Sequence, residues 1–302
     1  MTQAPKRKEK LVSMAQAADL VRDGMTIALG GFINSGHPMP LVRELIRRKR
    51  RNLTVVGPAS GGLDLDLLVA GGCVRKLVSC YFGAETLAPI SPMIKRAAEP
   101  GEPEISECGE GMYYAALRAG AQRLPFLPTR AGVGTSFPVV NPALKEFRDP
   151  IAGEPLLAIP AIRPDVAFLH AGFSDVFGNV QHVGTSYGDR ALYRASERTV
   201  VFVEKIVSNE EIRRDPARTS IPGADAVVRA PFGSHPFASP GFYLSDDAHL
   251  RGEYLAACHA LVRSGDDGPL QAYLERYVHR PADHVDYLEV VGLRRLLSLS
   301  EY

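Results

Sequence analysis

The chain has no tryptophan, only four cysteines and almost no net charge, since 35 basic residues stand against 34 acidic ones for a formal +1. A balance this close builds no field that would gather nucleic acid or an anionic membrane. Cys73, Cys80, Cys108 and Cys258 are scattered without a CxxC pair. That spacing excludes a dense disulfide framework and suits reduced thiols in a cytoplasmic protein. No stretch approaches the roughly 18–20 uninterrupted apolar residues of a membrane span. The charged opening from Met1 to Lys10 lacks the apolar run of a secretory signal. Neither GxGxxG nor GxxxxGK followed by Ser or Thr occurs, so the two common nucleotide-cradling loops are missing.

What is present is 302 residues, 45% of them apolar, enough to bury a substantial core. Helical periodicity alternates with short β-branched runs, the pattern of βα units. Ser13 and Gln16 form a capping box before a helix from Ala15 to Val21, with Gly24 as its C-terminal cap. Met25–Leu29, Leu53–Val56, Leu77–Phe82, Val166–Ala171, Thr199–Val207 and Ala226–Ala230 read as strands. Pro40–Arg48, Pro92–Ala98, Tyr113–Gln122, His249–Arg263 and Leu270–Val278 read as helices. The expectation is an α/β fold with an open, mainly parallel sheet and flanking helices. It forms one domain over residues 1–302, with 1–12 a flexible tail.

The most informative segment is Asp23 to Pro38, where an apolar strand runs into Gly30-Gly31-Phe32 and then into a helix. In open α/β sheets ligands sit beyond the carboxyl ends of the strands. Paired glycines at such a point let the backbone bend and approach a ligand, and their N–H groups can hold a phosphate or an oxyanion. A bare Gly-Gly reads first as an ordinary strand-to-helix turn.

The full spacing is more specific. Asp23-Gly24, two residues, three apolar residues, Gly30-Gly31-Phe32, three residues, Gly36, one residue and Pro38 resembles the signature of family I CoA-transferase alpha subunits. Leu124–Pro128, Gly132–Thr135, Asp165–Ala171 and Gly178–Val180 are similar to further segments of that family. Glu210–Pro216, Ile221–Gly223 and Ala230–Pro236 resemble the glutaconate-type alpha subunit in particular. The resemblance implies the fold shared with ribose-phosphate isomerases. It implies no permanently bound cofactor and no metal, with CoA and acyl-CoA as substrates. It also implies covalent catalysis by a glutamate in a Ser-Glu-Asn-Gly type motif on a beta-type partner subunit. No such motif occurs here, so the nucleophile is expected on that partner.

Within this reading Gly30, Gly31 and Phe32 are expected to face the thioester or pantetheine. Ser79, Cys80 and Tyr81, at a strand end, line the acyl pocket or belong to a core strand and turn. Glu110, ahead of a helix, complements the helix dipole as a plain structural residue. A second resemblance gives it another role. Glu110-Gly111-Met112 and the Gln122–Pro128 run are similar to the alpha subunit of steroid ring-cleaving hydrolases of the same fold, which implies Glu110 as a general base. Against this, Phe32 follows the glycines where tryptophan is expected in those hydrolases. A non-catalytic small-ligand-binding module on the same fold is the third reading. His37, His170, His182 and His235 lack metal-ligand spacing and read as structural or pocket histidines, with His235 a candidate for substrate contact. The basic run Arg47–Arg51 is a solvated helix end or a contact for the phosphates of CoA.

Overall fold

The computed structural model describes residues 7–300. Seven parallel strands build its central sheet, in the order Ala226–Arg229, Thr199–Ile206, Val166–Ser174, Thr26–Leu29, Leu53–Val56, Val74–Val78 and Glu104–Ser106. Asn179–Gln181 and Thr219–Pro222 extend it as antiparallel strands. Alternation along each strand divides the core between two faces. Ile27, Leu29, Val166, Phe168, Val200 and Phe202 point to one side, against the helices Met39–Arg47 and Leu63–Ala70 and the C-terminal helices. Ala28, Ala167, Leu169, Val201 and Val203 point to the other, where Tyr113, Leu117, Leu192 and Ala195 cover them. Strands buried on both faces are apolar throughout, which is why they read as continuous runs rather than alternating ones.

The helix Pro92–Ala98 and the strand Leu53–Val56 have the bounds expected of them. The capping box forms as read, with Ser13 Oγ accepting from the Gln16 N–H and the Gln16 side chain accepting from the Ser13 N–H. Its helix ends at Ala18, however, and Gly24, at φ +80°, turns the chain into the first strand instead of capping that helix. The expected strand Leu77–Phe82 divides into Val74–Val78 and a two-residue piece, Tyr81–Phe82. A helix not marked by sequence periodicity, Leu63–Ala70, buries both Asp64 and Asp66. Of the tail expected over 1–12, residues 1–6 lie outside the described residues. Lys10–Val12 is no free tail, since Leu11 bridges Val227 and the Val12 and Val227 N–H groups bond across the pair.

A small antiparallel sheet of Phe126–Thr129, Pro155–Pro160 and Lys145–Arg148 packs on the helix Glu110–Ala121 through Met112, Ala115, Ala116, Leu157 and Ile159. No described helix is long and apolar enough to cross a membrane.

Candidate active site

Because the seven strands run in parallel, their carboxyl ends open on one edge. Gly30-Gly31 leaves the Thr26–Leu29 strand there, Ser79-Cys80 leaves Val74–Val78, and Cys108–Glu110 follows Glu104–Ser106. One structural condition thus gathers three segments that the sequence keeps far apart.

The glycine turn is built around a carboxylate. Asp189, buried at the start of the helix Asp189–Ala195, accepts the Gly31 N–H on Oδ1 at 3.1 Å and contacts His182 Nε2 through Oδ2 at 3.0 Å. A side chain at position 30 would place its Cβ 2.6 Å from Asp189 Oδ1, so only glycine lets the carboxylate seat. Gly31 has φ +108°, a backbone state other residues rarely take. His182 in turn holds Ser220 Oγ at 2.7 Å on Nδ1. The Asp189 carboxylate, an acceptor only, takes the Nε2–H, and Ser220 Oγ, which donates to the Val180 carbonyl at 3.2 Å, completes the contacts of the ring.

These contacts correct the expectation of free amides. The Gly30 N–H goes to the Phe168 carbonyl, that of Gly31 to Asp189, that of Phe32 to Ser35 and that of Ile33 to Ser60. The donors are spent on shaping the turn. Phe32 stacks flat on Tyr187, with centroids 4.9 Å apart and planes within 4°. Beside this stack a small cleft is lined by Gly31, Gly36, His170, His182, Tyr187 and Asp189. His170 Nε2 donates to Glu204 at 2.9 Å, and the same carboxylate takes the Tyr243 hydroxyl and the Phe232 N–H. Both cleft histidines are therefore anchored to buried acids, as buried polar groups require.

The other sequence candidates divide. Ser79 is buried, its hydroxyl donated to the Pro58 carbonyl at 2.6 Å, and Tyr81 donates to the Pro89 carbonyl at 3.0 Å, so both pin the loop. Cys80 is half-buried, with Sγ 3.8 Å from Cys108 Sγ. Glu110 is exposed as the first residue of its helix. Its charge acts on Cys80 and Tyr114: burial, foremost, and Glu110 push the Tyr114 hydroxyl up. No hydrogen bond ties the Glu110 carboxylate down among the described residues.

His235 departs most from expectation. It is 0% exposed, with Nδ1 2.7 Å from the Tyr287 hydroxyl and Nε2 3.1 Å from Asp246, so it touches protein on both nitrogens and no cleft. Its turn is folded inward by the C-terminal helices. The basic run is likewise structural. Arg47 and Arg48 pair with Glu44, Arg48 reaches Asp19, and Arg51 donates to the Gly71 and Gly72 carbonyls.

Arginines that form no ion pair among the described residues lie elsewhere. A groove of about 800 Å³ runs from Tyr187 between the helices Glu110–Ala121 and Asp189–Ala195, lined by Arg118, Arg190 and Arg194. Its acids are engaged, Glu197 with Arg123 and Asp225 with the Thr199 N–H. Sequence reasoning did not find Asp189, Tyr187 or this groove. An acid and an arginine in a helix's first turn, as in Asp189-Arg190, give no sign of a partner distant in sequence.

The fold and this edge define an α/β protein with a locked glycine turn at the carboxyl ends of a parallel sheet. Its sequence matches the coenzyme A transferase family over residues 11–230, and the chain belongs to that family. It is 31% identical to the A subunit of glutaconate CoA-transferase from Acidaminococcus fermentans, over 96% of this chain and 94% of that one. The crystal structure of that organism's glutaconate coenzyme A-transferase superposes with a TM-score of 0.88 at 30% identity, covering 97% of this chain and 96% of that one. The chain is also 36% identical to the cholesterol ring-cleaving hydrolase IpdA subunit of Rhodococcus jostii, over 82% of this chain and 84% of that one. A protein of Archaeoglobus fulgidus is 38% identical over 97% of this chain, which spans 66% of that longer protein.

Proposed function

We propose that this chain is the alpha-type subunit of a heteromeric cytoplasmic CoA-transferase, which moves CoA between an acyl-CoA thioester and a carboxylic acid. The observation that carries the reading is the glycine turn, complete from Asp23 to Pro38 and locked by Asp189 at the strand ends, in a chain without the Ser-Glu-Asn-Gly motif. A partner glutamate attacks the thioester carbonyl, forming a mixed anhydride as CoA thiolate leaves. The thiolate then attacks the glutamyl carbonyl, releasing the acid and leaving a glutamyl-CoA thioester that the acceptor carboxylate resolves. This chain supplies shape. The Phe32–Tyr187 stack and the cleft edged by His170 and His182 face the acyl end. Arg118, Arg190 and Arg194 receive the phosphates of CoA, which is a substrate and not a resident cofactor.

The test is to co-express the chain with a beta-type chain bearing that motif, add acyl-CoA without acceptor, and look for a CoA-labelled glutamate by peptide mass spectrometry. The label is expected on the partner only. A label on this chain, or full turnover by this chain alone, would contradict the assignment.

One observation favours a second reading. The Glu110 carboxylate stands without a protein hydrogen bond at the same edge, beside Cys80 and Tyr114, where a base acting on water would be placed. A ring-cleaving hydrolase would add water to a cyclic acyl-CoA without any acceptor acid.

A further inference from the structure

The geometry points to Cys80 and Cys108 as a thiol pair that a hydroperoxide converts reversibly to a disulfide at the mouth of the site. The pairing follows from strand register. Val74–Val78 and Glu104–Ser106 are parallel neighbours with Val78 opposite Ser106. Two residues beyond that match, Cys80 and Cys108 again face each other, with Sγ atoms 3.8 Å apart. Neighbouring strands lie about 4.8 Å apart, within the span of Cα separations that disulfides bridge. Closing to the bonded distance of about 2.05 Å needs a shift of under 2 Å.

The two sulfurs differ in role. Either thiol can donate across this contact; with the Cys80 proton directed at Cys108 Sγ, the Cys108 thiol lies below its ordinary range and Cys80 above its own, with burial and Glu110 adding to the rise. Cys108 is thus the thiolate former and Cys80 keeps its proton. The Cys108 thiolate attacks one oxygen of the hydroperoxide; an S–O bond forms, the O–O bond breaks, and the departing oxygen anion is protonated by solvent. The Cys80 sulfur then attacks the Cys108 sulfenyl sulfur. As the S–S bond forms, the S–O bond breaks, and hydroxide leaves with the Cys80 proton as water. Two thiols are oxidised and one hydroperoxide is reduced. Cys73 and Cys258 are buried away from this edge, and burial pushes Cys73 up to about 11, so they serve as internal controls.

The bond would reshape the strand-end edge that faces the acyl-CoA. Ser79 and Tyr81 fasten the Cys80 side to the Pro58 and Pro89 carbonyls, so the Cys108–Gly109 side must move. Gly109 is the extended cap residue before the helix that Glu110 begins. A displacement near 1 Å at a reacting site costs on the order of 100-fold in rate. This consequence for turnover rests on the acyl-CoA reading above, whereas formation of the bond does not.

The experiment treats the full chain, alone and in complex with its partner, with hydrogen peroxide, then alkylates, digests and maps thiols by mass spectrometry. The expected product is a Cys80–Cys108 disulfide, reversed by dithiothreitol, with Cys73 and Cys258 still reduced. Cys80→Ser should accumulate a dimedone-reactive sulfenic acid at Cys108, and Cys108→Ser should slow oxidation at position 80 by about tenfold or more. Both variants are first checked for wild-type thermal unfolding. The inference is overturned if folded wild type keeps both thiols alkylatable under peroxide, or if Cys80 oxidises as fast without Cys108. In the complex, turnover should fall at least about tenfold on oxidation and return on reduction. A disulfide that leaves turnover unchanged would overturn the link to the site edge, while an untreated complex inactive on every acyl-CoA would count against the functional reading alone.

Discussion

The Asp189 carboxylate accepts the Gly31 N–H at 3.1 Å although 158 residues separate the two in sequence. This bond joins the glycine turn to the helix that begins behind it, and through His182 it extends to Ser220. Gly30 makes room for the carboxylate, Gly31 supplies the N–H in a left-handed backbone, and Phe32 closes over Tyr187.

Removing the carboxylate should therefore loosen the turn. Asp189→Ala leaves the Gly31 N–H and His182 without their buried partner and should cost about 1–3 kcal/mol in urea unfolding. Asp189→Asn keeps an acceptor for Gly31 but disturbs the His182 tautomer, so it should retain most stability while lowering kcat of the complex. Equal losses in both measurements would argue against the positioning role.

Gly30→Ala meets Asp189 Oδ1 at 2.6 Å and the Leu169 side chain at 2.7 Å. Overpacking of this kind costs about 1–3 kcal/mol. Chemical denaturation should show that loss, whereas Gly24→Ala, with open space around its Cβ, should show a smaller one from backbone strain alone.

The strand ends, the glycine turn and the helix Pro92–Ala98 were legible because their signals are local: apolar runs, paired glycines, and a proline at a helix start. The helix Leu63–Ala70 escaped notice because both its faces are buried, which erases the amphipathic pattern. Of its acids, Asp66 accepts from the Ile94 N–H and the Tyr254 hydroxyl, and Asp64 Oδ2 lies 3.0 Å from His37 Nδ1. Pro125 and Pro128 hid the strand Phe126–Thr129, whose edge position tolerates them. His235 looked like a site residue within a glycine-bearing turn, and only the packing of Asp246 and Tyr287 around it shows otherwise. Asp189 could not be found from local signals, since its meaning lies in a contact made by the finished sheet.

Stability should fall on mild acidification. Burial pushes His249 and His284 down to about 3, from an ordinary value near 6.5. Between those values the unfolded chain binds two protons that the folded chain refuses, so stability drops as pH falls below about 6.5. His235, also lowered by burial, acts in the same direction. Asp66 opposes them. Burial raises its carboxyl to about 7 from near 3.8, so the folded chain holds a proton there that the unfolded chain has lost. Counting two histidines against one carboxyl, the net slope between pH 4 and 6 is about 1.4 kcal/mol per pH unit. Asp66→Asn should steepen it to about 2.7 kcal/mol per unit in urea titrations at several pH values. An unchanged slope would remove Asp66 from this balance.

Neutralising Arg118, Arg190 or Arg194 with glutamine should raise the KM for acyl-CoA about two- to fivefold each, at up to about 1 kcal/mol per exposed contact, with kcat little changed. The effect should shrink in high salt. Arg47→Gln should instead act on stability, because that side chain bonds Glu44 and the Pro281 carbonyl. If acyl-CoA KM is indifferent to all three groove arginines, the phosphates bind elsewhere.

The central claim is transfer of CoA between carboxylates, and acceptor dependence tests it most directly. The co-expressed complex is incubated with candidate acyl-CoAs, with and without acetate or a dicarboxylic acid, and products are followed by mass spectrometry for wild type and Glu110→Gln. The account predicts a new acyl-CoA formed only with acceptor, from both proteins. Hydration or ring opening of the acyl group without acceptor, abolished by Glu110→Gln, would contradict it and establish a hydrolase.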